Sequence, residues 1–281
     1  MIKKRLKQTI KPFYFSMRRR AASTLYHYND KQLAEKLSAL GVSAGDSLMV
    51  HSGFNQFNGF SGTPEDVIAV FQRLIGPQGN LLMMSMSYGG SSQRYAAAQK
   101  TFDVRRTPSA LGLISETFRR RPNVIRSANP LHPILASGPL AKWLTIDHEL
   151  LSYSCGRRSP FARFSKIGGK FLFFDAVFRS LTFVHYIEDK YRNDLPVALY
   201  DEQPAKLRVK LDSGVTRDLK QYLFGASARE QRDFAVIEDS MRALGRLKED
   251  KAGNTKLLFC TAEDVEKTAD ELMANGKGFY R

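Results

Sequence analysis

The chain has 281 residues, 43% hydrophobic and 25% charged, the composition of a globular protein long enough to bury a sizeable core. Its apolar runs, "FLFF" and "NLLMMSM", fall far short of the ~20 residues a membrane span requires, and no secretory apolar stretch follows the basic start, so a cytoplasmic location is expected. Cys155 and Cys260, with no CxxC spacing and no companion histidine cluster, exclude a disulfide framework and a zinc site; no metal is expected, and both thiols read as buried structural residues.

The formal net charge of +15 is unevenly spread. Residues 1–25 hold Lys3, Lys4, Arg5, Lys7, Lys11, Arg18, Arg19 and Arg20 with no acid, so 8 of the 15 charges sit in a basic arm and +7 on the rest. Phe13, Tyr14 and Phe15 interleave these cations, a mixture suited to peripheral contact with the anionic inner face of a membrane. The same charge attracts nucleic acid, which is not the expected partner, and an arm packed on a partner subunit is the remaining reading. Residues 26–281 read as a single domain, with a hairpin-containing part from about 197; the oligomeric state stays open.

In chain order, "YNDKQLAEKLSALG" reads as a helix capped at Asn29 or Asp30, striped by Leu33, Leu37 and Leu40 and stopped by Gly41. "SLMVHSGF" is a buried strand running into a loop near His51. "GTPEDVIAVFQRLIG" is a helix with Thr63 as cap and Pro64 in its first turn, and "GNLLMMSMS" the next buried strand. Strand, helix, strand in this order predicts a crossover and an at least partly parallel sheet. "TPSALGLISETFRRRP" predicts a helix entered through Thr107 and Pro108, and "KFLFFDAVF" another strand. "AKLRVKLDSGVTRDL" alternates with period two about "DSG", a hairpin signal, and "AEDVEKTADELMANG" is a last helix. The glycines of "KIGGKFLFF" precede a strand, where neither a Walker nor a dinucleotide loop places them.

The stretch "SLTFVHYIEDKYRNDLP", residues 180–196, spaces Thr182, His185 and Glu188 by three. On a helix these share a face, so Glu188 can bond one ring nitrogen of His185 and leave the other free as a general base. Alone, HxxE more often describes an ordinary surface pair.

Five blocks in order settle which is expected: "LGVSAGDSLMVHSGF", "GTPEDVIAVFQRLIGPQGNLLMMSMS", "FDVRRTPSALGLISETFRRRPNVIRSANPLHPILASGP", "SPFARFSKIGGKFLFF" and "TFVHYIEDKYRNDLP". Together they resemble the aminoglycoside 3-N-acetyltransferase, or antibiotic N-acetyltransferase, family from about Asn29 to Pro196. The resemblance implies an α/β fold distinct from the GNAT acetyltransferases, with a central mostly parallel or mixed sheet between helical layers. It also implies an acyl donor, acetyl-CoA or another short acyl-CoA. Its TxxHxxE block falls on Thr182, His185 and Glu188, assigning the catalytic base and its acidic partner. Its HSS loop, which meets pantetheine and thioester, falls on His51, Ser52 and Gly53, with Phe54 and Phe57 beside them. Its TPS block falls on Thr107, Pro108 and Ser109, and its RSxHPxHS block on Arg126, Ser127, Asn129, Pro130 and His132. Departures are Gly53 for a serine, Asn129 for a histidine, and Leu181 and Asp175 where the family often shows Asn and Gly.

On this resemblance His185 deprotonates an amine, and N–H groups of the "HSGF" turn stabilise the oxyanion. Arg126 and Arg119–Arg121 are candidate CoA phosphate contacts. Asn129, His132 and Asp189 are candidate acceptor contacts, and His27 and His148 read as structural. The basic body favours an anionic acceptor, a nucleotide-linked aminodeoxy sugar for surface polysaccharide, over a polycationic aminoglycoside, the alternative. A non-catalytic membrane- or nucleic-acid-binding protein is the rival of another class.

Overall fold

A computed structural model describes residues 24–55, 57–276 and 278–280, so the basic arm lies almost wholly outside the described residues. Helix α1 (Asp30–Leu40) starts where the Asn29 side chain accepts the Gln32 N–H and Gln32 reaches back to the Asn29 N–H, a capping box, and it stops at a left-handed Gly41. Strand β1 (Ser47–Ser52) leads to α2 (Pro64–Ile75), opened by the same reciprocal box between Thr63 and Asp66. Strand β2 (Asn80–Met84) then returns parallel to β1, completing the expected crossover.

The chain continues through α3 (Ser92–Ala97), β3 (Thr101–Asp103), α4 (Leu113–Arg119), β4 (Ile125–Arg126), β5 (Ile134–Ser137), α5 (Ala141–Thr145) and α6 (Pro160–Lys166) to β6 (Lys170–Phe174). Helix α7 (Val184–Lys190) precedes the expected hairpin, β7 (Ala205–Lys210) and β8 (Thr216–Gln221). Then come α8 (Ala226–Gln231), α9 (Ala235–Ala243), β9 (Lys248–Ala252), β10 (Thr255–Thr261) and α10 (Ala262–Ala274).

The larger sheet has the order β4-β5-β2-β1-β6-β10-β9, and β3-β7-β8 form a smaller one. β1 pairs parallel with both β2 and β6, while β5 and β10 add antiparallel on either side, so the sheet is mixed. Successive side chains alternate faces. Met49, Leu82, Phe171, Phe173 and Leu258 pack with α6, α7, α9 and α10; Leu48, Val50, Leu81, Leu172, Phe174 and Leu257 pack with α1, α2 and α4. These are the two helical layers, and with buried Phe and Leu side chains each worth about 1.5–3 kcal/mol, they hold the strand ends that carry the site.

Two sequence expectations need correction here. Thr107 and Pro108 do not open a helix: the Thr107 hydroxyl accepts the Asp103 N–H at 2.8 Å, and its own N–H donates to the Asp103 carbonyl, closing a turn. No acid follows in the next turn, and α4 starts only after Gly112, at φ +109. Nor does β6 run through "DAVF". Asp175 turns the chain at φ +53, a conformation few non-glycine residues adopt, and its carboxylate accepts the Asn55 N–H.

That turn explains Gly53. A Cβ added to Gly53 would stand 2.5 Å from the Asp175 carbonyl oxygen, so serine has no room there. Gly53→Ser is therefore expected to destabilise the fold by about 1–3 kcal/mol, read from urea unfolding. Unchanged stability would mean that the 175 loop yields freely.

Candidate active site

Helix α7 buries Val184 and Ile187 in the core, which turns His185 toward the edge of the fold and Glu188 inward. The His185 N–H donates to the Thr182 carbonyl, starting the first turn. One turn on, His185 Nδ1 lies 2.6 Å from Glu188 Oε2; the imidazole keeps 20% of its side-chain surface exposed and the carboxylate none. The second Glu188 oxygen accepts from Arg232 Nε at 2.6 Å and from the Tyr280 hydroxyl. Burial pushes the Glu188 carboxyl up, but the hydrogen bond and charge of His185 and the charge of Arg232 outweigh it, so the group stays below its usual range. An ionised Glu188 holding Nδ1 leaves Nε2 as the working nitrogen.

Two cavities, of about 300 Å³ and about 310 Å³, meet at this ring and share Met86, Leu111, Thr182 and His185. The first is lined by His51, Ser52, Met84, Ser115, Arg179 and Leu181, the second by Tyr88, Gln93, His132, Phe224, Arg229 and Arg232. Phe224 lies 4.5 Å from the His185 ring, Phe234 5.6 Å and His132 5.9 Å, centroid to centroid.

The structure thus brings together Thr182, His185, Glu188, His51, Ser52 and His132. Other expected site residues are engaged elsewhere. Gly53 donates its N–H to the Phe174 carbonyl at 2.8 Å, so it has none to offer an oxyanion. Phe54 packs against the core on the α2 side of the sheet. Thr107 closes its turn, and Ser109 touches the first cavity only through Ser115, Oγ to Oγ at 2.9 Å.

Arg126 is not a phosphate contact. It is buried with its guanidinium over Phe102 and lines neither cavity; its two terminal nitrogens donate to the carbonyls of Ser85, Val104 and Thr107, and only Nε is without a partner among the described residues. Arg119 and Arg120 are held on Glu116, and Arg121 on Gln72. Asn129 is fully buried and caps a turn, its Oδ1 accepting from the Leu131 and His132 N–H groups while Nδ2 donates to the His148 carbonyl. Asp189 follows Glu188 but points round the helix to the Tyr200 hydroxyl at 2.9 Å, outside both cavities. Arg232, Tyr280, Arg179, Phe224 and Phe234 went unread in the sequence, because nothing local marks them. Among the described residues no cluster of His, Cys, Asp and Glu could hold a metal, and no helix is long and apolar enough to cross a membrane.

The other buried histidines are held neutral. Burial lowers His51 and His148 each to about 4 and His132 well below its usual value. His148 sits between the Ser127 hydroxyl and the Ser154 carbonyl, as a structural histidine should. The unfolded chain takes up these protons near pH 6.5, whereas the folded protein takes them up only near pH 4. The unfolded state therefore binds more protons in that window, and stability is full above about pH 6.5 and falls toward pH 4. A urea-midpoint series over pH 4–7 should show the decline, and His148→Gln should flatten it; a pH-independent midpoint would contradict the burial of these rings.

A family model described as aminoglycoside 3-N-acetyltransferase matches residues 49–274. The chain belongs to the aminoglycoside 3-N-acetyltransferase family. Aminoglycoside N(3)-acetyltransferase III of a Salmonella species is 33% identical over 173 residues, 57% of this chain and 60% of that protein, so the chain spans about three fifths of the curated relative it matches. The AAC-IIIb structure in binary complex with CoASH is 24% identical with a TM-score of 0.75, covering 90% of this chain and 98% of that one. A mutant of aminoglycoside acetyltransferase AAC(3)-IVa in complex with a gentamicin is 26% identical with a TM-score of 0.73, covering 90% and 92%. The mixed sheet between two helical layers is the fold of the aminoglycoside 3-N-acetyltransferases.

Proposed function

We propose that this chain transfers an acetyl or other short acyl group from acyl-CoA to a primary amine of an aminoglycoside, with His185 as general base. The observation that carries the proposal is a histidine, fixed at Nδ1 by a buried carboxylate, whose ring lies where two cavities meet. An amine protonated at neutral pH must lose a proton to attack. That first proton goes to water, and Nε2 of His185 takes a second from the neutral amine nitrogen as its bond to the thioester carbon forms. When the carbon–sulfur bond breaks, the imidazolium returns the proton to the leaving thiolate.

The first cavity suits the acyl-pantetheine arm. Met84, Met86 and Leu181 give it apolar walls, and Arg179 at its exposed edge suits the CoA phosphates. Buried in the same wall, His51 Nε2 has no partner among the described residues, a polar atom that a bound ligand can satisfy. The second cavity is then the acceptor's. The names of the relatives, and gentamicin in a structural neighbour, favour the aminoglycoside over the nucleotide-linked sugar that net charge favoured. Net charge is a poor guide because 8 of its 15 units lie in residues 1–25, and the groups that line a cleft, not the sum over the chain, set the field within it.

The nucleotide-linked aminodeoxy sugar remains a second reading on one observation: no Asp or Glu is among the described residues lining the second cavity, which presents Arg229 and Arg232. Thiol release from acetyl-CoA with gentamicin and with a nucleotide-linked amino sugar tests both. Efficient release with gentamicin is the expected result; release with the sugar nucleotide alone would transfer the proposal to the second reading, and failure to release thiol with either acceptor would leave the non-catalytic rival. Residues 1–25 have the composition of a peripheral membrane contact for a cytoplasmic enzyme. Deleting them should abolish sedimentation with anionic vesicles at low salt while sparing turnover; truncated protein that still sediments would rule the arm out.

A further inference from the structure

Glu188 is completely buried, yet three separate parts of the chain donate to it: His185 from its own helix, Arg232 from just after α8, and Tyr280. The last two arrive as one unit. Arg232 and Tyr280 form an antiparallel bridge, the Asp233 N–H donates to the Phe279 carbonyl at 2.9 Å, and Phe279 is fully buried in the core beneath. The Arg232 guanidinium is held between two rings, 4.9 Å from the centroid of Phe224 and 5.2 Å from that of Phe234. It therefore has little freedom to leave Glu188.

We infer that Arg232 and Tyr280 are positioning residues that share the charge of Glu188 and so set how firmly His185 holds a proton. A carboxylate has about four acceptor sites. Three donors, one of them a cation, divide its charge among them, so the hold of Glu188 on the His185 ring depends on Arg232 and Tyr280. Among the described residues, the charged and titratable groups facing the pair are Arg232, Tyr280 and Glu188 behind the ring, His132 at 5.9 Å across it, Arg229 and Tyr88 in the second cavity, and Arg179 and His51 in the first. Asp189, the other acid on α7, is engaged by Tyr200. Removing Arg232 strips one positive neighbour from His185 and leaves Glu188 uncompensated, and both changes favour the protonated pair. The catalytic part of the inference rests on the acyl transfer proposed above; the proton affinity of the pair does not.

The test uses the full chain carrying Arg232→Gln, Arg232→Lys or Tyr280→Phe, with the histidine ring signals followed by NMR against pH and His185 assigned through its loss in His185→Gln. For Arg232→Gln the His185 midpoint is expected to rise by about one pH unit, a tenfold change in proton binding. Tyr280→Phe should move it less in the same direction, and Arg232→Lys should restore most of the wild-type value. In turnover, the acid limb of kcat/KM against pH should move with the midpoint while KM for acetyl-CoA stays constant, a split that simple loosening of the fold does not produce. Should Arg232→Gln fail to fold, Tyr280→Phe, which loses a single oxygen, carries the test. A His185 titration identical to wild type in the folded variants overturns the inference. A midpoint that moves in a protein acetylating no amine upholds the inference and overturns the transfer reaction instead.

Discussion

His185→Ala is expected to slow turnover by roughly 10²- to 10⁴-fold while binding acetyl-CoA almost as wild type does, since general base catalysis contributes about that much and the ring is one wall residue among many in the first cavity. Steady-state rates alongside an equilibrium CoA titration separate the two effects. The direction follows from geometry: with Nδ1 held by Glu188, no other described group at the meeting of the cavities combines a free basic nitrogen with a carboxylate behind it. His132 comes nearest, but its Nδ1 is bonded to the Ser154 hydroxyl at 2.7 Å and burial lowers its proton affinity far below the usual range. Full activity in His185→Ala would remove the base from the proposed reaction.

Glu188→Ala should be damaging in a different way. It deprives Arg232, His185 and Tyr280 of their shared acceptor at a fully buried position, and breaking a buried ion pair from one side costs about 3–5 kcal/mol. Urea unfolding should show that loss, together with a fall in turnover. Glu188→Gln keeps an oxygen for Arg232 and should lose less of both. A Glu188→Ala protein as stable as wild type would mean that Arg232 and Tyr280 find other partners at once, and that the three contacts add little to the fold.

The difference between these two variants also marks what a sequence can show. The His185–Glu188 contact spans three residues on one helix, a distance that periodicity resolves. Arg232 and Tyr280 reach the same carboxylate from 44 and 92 residues away, and no local pattern carries that information. Capping chemistry was legible for the same reason: Asn29 with Gln32 and Thr63 with Asp66 are boxes closed within three residues. Thr107–Pro108 imitates Thr63–Pro64, but lacks the acid three residues after the cap, and the chain makes a turn instead.

Charged residues beside a motif misled most. Arg126 looked like a phosphate ligand because an arginine in a conspicuous block invites one, whereas its three carbonyl acceptors lie in the segments that follow β2 and β3, which only the folded chain brings together. Asp189 looked like a second acid beside the base, yet one residue along a helix is a turn of about 100°, enough to aim it at Tyr200. Gly53 and Asp175, far apart in sequence, proved to be a single steric problem.

The sharing of Thr182 and His185 by two cavities bears on the order of events. A base standing between donor and acceptor serves both only while both are present, so the reaction has no reason to pause at an acylated protein. The two cysteines, the side chains best suited to hold an acyl group, are buried thiols absent from both cavities, and burial pushes each thiol up, away from the reactive thiolate. The proposed transfer is therefore expected to run through a ternary complex, with initial velocities that intersect when one substrate is varied against fixed levels of the other; the parallel lines of a ping-pong scheme would contradict this.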